Sequence, residues 1–134
     1  MDIFQDATLD QKKSIGSFLF FLALCDDGYL QIQEIKFIES FITSFGLTLD
    51  NCSSYFKTTG RDRMYSNLNS LSRVQKEALI WLSFELAYCD EKANEEEMNF
   101  IIGFFEIIGI NEDELENILK KIVFVMQKLI FLDH

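Results

Sequence analysis

The sequence predicts an all-α fold, a compact bundle of about six to seven helices formed from two related helix–loop–helix halves. Three observations carry that expectation. The chain of 134 residues contains no proline, so the main helix breaker is absent from every segment. Apolar residues recur at spacings of three and four, the period of one helix face, and no stretch alternates long enough to read as a strand. The third is internal repetition: the segment 27–47, shifted by 63 positions, falls without a gap on 90–110.

The repeat is carried by identities and by pattern. Asp27, Glu34, Phe37, Phe41 and Gly46 recur as Asp90, Glu97, Phe100, Phe104 and Gly109, while Ile35, Ile38, Ile42 and Phe45 map onto Met98, Ile101, Phe105 and Ile108. One domain over 1–134 with repeats near 14–57 and 72–120 follows from this length and pattern. Taken in order, an apolar helix reaches Cys25, an acidic loop follows, and an amphipathic helix ends at Gly46, a residue suited to the left-handed C′ position. Asp50 is placed to cap a short helix through Phe56. Thr58, Thr59 and Gly60 read as a turn, Arg61 to Asn69 as a short helix, and Ser70 or Ser72 as the cap of a long helix to Tyr88.

The second half repeats the design: Trp81 to Cys89 enters an acidic loop, and the amphipathic helix ends at Gly109. Asn111 then opens the last helix, with Glu112, Asp113 and Glu114 where the dipole favours acids. Ile118 to Leu132 is apolar on more than one face. It reads as a central buried helix or as one side of a dimer interface; burial is favoured, because Phe124 and Phe131 would otherwise join a large exposed patch.

Composition narrows function. Hydrophobic residues are 49% of the chain and charged residues 25%, an ordinary globular balance, with 14 phenylalanines pointing to an aromatic-rich core. The net charge of −10 repels phosphate backbones and anionic lipid, which disfavours nucleic acid and membrane-surface binding and favours cations or basic protein patches. Cys25, Cys52 and Cys89 are an odd set, so a disulfide framework is not expected and a reducing compartment is; Cys25 and Cys89 sit in apolar helical stretches as inert thiols. The start has no basic stretch leading into an apolar run, and the longest apolar stretch, Phe18 to Cys25, is too short to span a bilayer. A cytoplasmic protein, not an integral membrane one, is expected.

The acidic loops are the candidate site. Asp27 and Glu34 are seven apart, as are Asp90 and Glu97, with Asp26 and Glu91 beside the aspartates. A carboxylate at a helix C-terminus faces the negative end of the dipole and calls for a compensating cation, whether a basic side chain or a bound metal. Carboxylate and carbonyl oxygens are hard donors suited to Ca²⁺, Mg²⁺ or Mn²⁺. Two other readings stay open: Asp26 or Asp27 as Asx-turn residues ahead of Gly28, and Glu34 or Glu97 as capping-box partners of Gln31 or Asn94. The loops are not EF-hands, because the spacing to the glutamate is too short and Tyr29, Leu30 and Ile32 occupy ligand-type positions. Catalysis is not expected: the sole histidine is His134, and no glycine-rich phosphate loop or nucleophile elbow occurs.

The motif Asp27-Gly28-Tyr29-Leu30-Gln31-Ile32-Gln33-Glu34, following an apolar helix and opening the next one, resembles the TerB-like (tellurite-resistance protein B) family across roughly 14–120. The resemblance implies a compact helical domain with two related halves, a setting in tellurite resistance or stress response, and an acidic cluster that holds metal ions. Residue by residue it implicates Asp27, Glu34, Asp90 and Glu97. The second copy departs from the motif, with Glu91 in place of glycine and Lys92 next, a lysine able to fill the cation role itself. The alternative function is a protein–protein adaptor or homo-oligomeric module without metal, motivated by Trp81 and by the apolar segment from Phe124 to Leu132.

Overall fold

The computed structural model describes the backbone of residues 3–24, 32–88 and 95–132, and the side chains of 3–24, 32–86, 99–122 and 124. Six helices account for nearly all of it: α1 (Leu9–Leu24), α2 (Ile32–Thr43), α3 (Leu49–Asn69), α4 (Arg73–Tyr88), α5 (Glu95–Ile107) and α6 (Glu112–Leu132). Among the described residues there is no strand, and no helix is long and apolar enough to cross a membrane. The all-α expectation holds, at the lower end of its helix count.

The helices recur in step. α3 and α6 begin 63 residues apart, at Leu49 and Glu112. The two amphipathic helices also end alike. Gly46 (φ 75°) and Gly109 (φ 86°) take the left-handed conformation. In the first, Gly46 N donates to Thr43 O at 2.9 Å and Leu47 N to Ile42 O at 3.1 Å. In the second, Gly109 N donates to Glu106 O at 3.2 Å and Ile110 N to Phe105 O at 2.9 Å. Each end is thus a Schellman motif, with its apolar clasp buried as Ile42 with Leu47 and Phe105 with Ile110.

α1 is the organising helix. It packs against α2, α3, α4 and α5, most extensively against α3. Every residue from Ser14 to Leu19 is buried, followed by Leu22 and Ala23. The α1–α3 approach depends on small side chains: a Cβ at Gly16 would collide with Cys52 Sγ and lie 3.1 Å from Ile42 Cγ2. Ser17 Oγ, beside it, shares its proton between Lys13 O (2.8 Å) and Cys52 O (3.0 Å), so the small polar face of α1 is satisfied at the contact. On its other side, Phe18 stacks on Phe104 with ring centroids 3.7 Å apart, tying α1 to α5. Phe4 meets Phe41 and Phe45 edge-on and closes the N-terminal turn over α2.

Three expectations are corrected. The burial expected from Ile118 to Leu132 is found at Ile118 and Ile122 but not at Phe124, which is 57% exposed; Phe131 lies outside the described side chains. The cap of α3 is Thr48, not Asp50. Asn51 N donates to Thr48 Oγ1 (3.1 Å) and Thr48 N to Asn51 Oδ1 (2.9 Å), a reciprocal box that puts Asp50 inside the first turn. Thr58 and Thr59 stay helical, their hydroxyls donating to Ser54 O and Tyr55 O; only Gly60 (φ 83°, ψ 175°) breaks the helix, which resumes to Asn69. Ser72 does cap α4, exchanging the same pair of bonds with Gln75.

Candidate functional site

Of the six acidic positions singled out in the sequence, Asp26, Asp27, Asp90 and Glu91 lie outside the described residues. Glu97 falls in the first turn of α5, with its side chain outside them. Glu34 alone is described in full. It sits in the first turn of α2, where the helix dipole favours a carboxylate, and it is only 5% exposed. A glutamate is almost never buried to that degree without compensating contacts, and Glu34 has them. Whether the six acids converge therefore lies outside the described residues. Among the described residues no group of three or more His, Cys, Asp or Glu side chains is disposed to hold a metal ion.

Cys52 does not offer nucleophilic chemistry. It is a free thiol buried at the α1–α3 contact, and desolvation pushes its pKa up to about 11 although nearby Lys13 pulls the other way. At neutral pH it is a protonated core thiol. Cys25 and Cys89 lie outside the described residues. Every buried polar side-chain atom among the described residues has a hydrogen-bond partner, so no orphaned group marks a cofactor site.

One concave surface among the described residues is apolar and lies between α2 and α4. A groove of about 480 Å³ is lined by Ile3, Phe4, Phe41, Ala78, Trp81, Leu82 and Glu85. A second hollow of about 380 Å³ shares Phe41, Leu82 and Glu85 with it and adds Phe37, Ser40 and Ser44. Trp81, Leu82, Phe37 and Phe41 are half-buried, packed on the core with one side still open, and Ile3 at the rim is 48% exposed. The floor is built from three segments. α2 supplies Phe37 and Phe41 one turn apart, and α4 supplies Ala78, Trp81 and Leu82 on one face. The N-terminal turn is fixed over them by Gln75 Nε2 donating to Ile3 O at 3.2 Å.

The sequence flagged Trp81 but not its companions. Phe37 and Phe41 stand out in the sequence only as identities of the repeat, outside the stripe of Ile35, Ile38, Ile42 and Phe45; their outward edges show only once α4 is docked beside them. Ile3 and Phe4 had no periodic signal, being a turn ahead of the first helix. Comparison with protein-family models, with curated proteins and with solved structures finds no match to this chain.

Proposed function

We propose that this chain is a non-catalytic adaptor whose working surface is the apolar groove between α2 and α4. The observation that carries the reading is Trp81, the sole tryptophan, held half-open in a groove walled by Phe4, Phe41 and Leu82. Tryptophan in a shaped, partly open pocket is the residue type that anchors protein interfaces, because one rigid ring removes a large apolar area from water at small entropic cost. Glu85 stands at the rim of both hollows, and the chain carries a net charge of −10. The fitting partner presents an apolar side chain flanked by lysine or arginine, either on another protein or on a second copy. Gentle size fractionation tests this. The tagged chain in a lysate of its native host is expected to run well above its 15.7 kDa mass. Ile3→Asp and Trp81→Gln variants of unchanged helicity should run as monomers. Monomeric elution of the unaltered chain at every concentration would remove the proposal.

A second reading is favoured by Glu34. Its burial at the start of α2, seven residues after Asp27, fits a divalent cation (Ca²⁺, Mg²⁺ or Mn²⁺) at the first acidic loop, the role implied by the TerB-like resemblance and its stress or tellurite-resistance setting. Calorimetric titration decides it. Saturable binding abolished by Glu34→Gln and by Asp27→Asn with Asp90→Asn supports a cation site, and heats indifferent to those changes eliminate it.

A further inference from the structure

Four of the twelve lysines and arginines of this acidic chain meet in one place. Arg73 and Lys76 on α4 face Lys120 and Lys121 on α6 across a groove of about 520 Å³, with Gly109 and Ile110 in its wall. Two carboxylates, Glu77 and Glu114, also line it, and both are engaged: Glu77 Oε1 with Lys121 Nζ at 3.4 Å, and Glu114 Oε1 with Asn111 Nδ2 at 3.0 Å. Lys120 pairs with Glu116 at 3.4 Å, an exposed pair that opens readily. Arg73 and Lys76 have no carboxylate partner among the described residues. Lys76 Nζ donates instead to the neutral Asn69 Oδ1 at 3.2 Å, and it is held close over the Gly109 loop.

The placement of Arg73 runs against local preference. The first turns of α1, α2, α3 and α6 carry acids, whereas α4 opens on Arg73 and has none. A cation there is disfavoured by the dipole, and Arg73 and Lys76, the two without a carboxylate partner among the described residues, repel one another. An anion seated between them reverses both effects. The rest of the negative surface does not forbid it, since charges more than about 8 Å away are largely screened at physiological salt.

We propose that the α4–α6 groove binds a small phosphorylated ligand, a compact polyphosphate group held by Arg73, Lys76 and Lys120. The volume lies in the range of small-molecule sites. The planar fork of Arg73 matches two phosphate oxygens at once, and the lysines supply point charges on the opposite wall. Glu77 and Glu114 interrupt the positive lining, which suits a short anion better than a long, uniformly charged polymer.

The test is thermal stabilisation and calorimetric binding of the full chain with inorganic tripolyphosphate. Sodium chloride at matched ionic strength and an oligo-glutamate peptide of matched charge serve as comparators. The expected result is saturable stabilisation by tripolyphosphate beyond that of chloride, with affinity at least tenfold weaker in Arg73→Gln with Lys120→Gln. It should be unchanged in Arg61→Gln with Arg63→Gln, two exposed cations on α3. These are surface substitutions, and circular dichroism verifies that each variant is folded. Stabilisation no greater than chloride gives, equal binding in both double variants, or tighter binding of oligo-glutamate than of tripolyphosphate would each overturn the assignment.

Discussion

Gly16→Ala probes the contact on which the bundle is assembled. In an exposed helix interior this change stabilises by about 1 kcal/mol, through helix propensity alone. Here the added methyl would collide with Cys52 Sγ and press on Ile42 Cγ2 at 3.1 Å, in a site where every neighbour is fully buried. Overpacking of a tight core costs roughly 1–3 kcal/mol, which offsets the propensity gain and leaves a net loss of up to about 2 kcal/mol. Cys52→Ala removes the sulfur that the new methyl strikes. By itself it leaves a small void and costs about 1 kcal/mol. In that background Gly16→Ala fills the space and becomes neutral or stabilising, giving a coupling of about 1–3 kcal/mol between the two sites. Urea unfolding of the four variants, followed by far-ultraviolet circular dichroism, measures it. Additive effects within about 0.5 kcal/mol would refute the close α1–α3 packing described above.

The remaining expectations concern caps, turns and the buried thiol. Thr48→Ala should cost about 1 kcal/mol in urea unfolding while Asp50→Ala costs a few tenths, because only Thr48 caps α3. Gly109→Ala should destabilise more than Gly46→Ala: both force a left-handed φ, worth about 1–2 kcal/mol, but only at 109 does the new Cβ meet a neighbour, Asn69 Oδ1 at 3.0 Å. The folded-state pKa of Cys52 is raised from 9.0 to about 11, so the folded chain holds that proton longer than the unfolded one. Its contribution is fully present below pH 9 and declines as pH rises from 9.0 to about 11; the stability difference between the chain and Cys52→Ala should shift over that window alone.

How much was legible in the sequence depends on which interaction fixed each feature. The helix ends at Gly46 and Gly109 could be read directly, since a left-handed residue after an apolar stripe has few alternatives, and both form the same hydrogen bonds. Most of the stripe was legible: Ile38, Ile42, Ile101, Phe105 and Ile108 are buried, while Ile35 and Phe45 are half-buried and the Met98 side chain lies outside the described ones. The central helix was not. Ser14, Gly16 and Ser17 look like a solvent face by hydropathy, yet they are buried because small side chains let α3 approach, whereas Ile118 to Leu132 reads as apolar on more than one face and yet leaves Phe124 in solvent. The cap of α3 was misplaced by two residues because Thr48 and Asp50 are both good caps, and only hydrogen bonds separate them. Trp81 stood out by rarity, but its groove joins residues from the N-terminal turn, α2 and α4, which no local pattern connects.

Site-specific photo-crosslinking in the native host addresses the groove itself. A photoreactive phenylalanine analogue replaces Glu85 at the rim, and a control analogue replaces exposed Thr58 on α3. A discrete adduct from position 85, absent from position 58 and lost when Trp81→Gln is added, is the expected result. Equal labelling from both positions, or no adduct from position 85 in a folded and expressed chain, would contradict the assignment of this face as the binding surface.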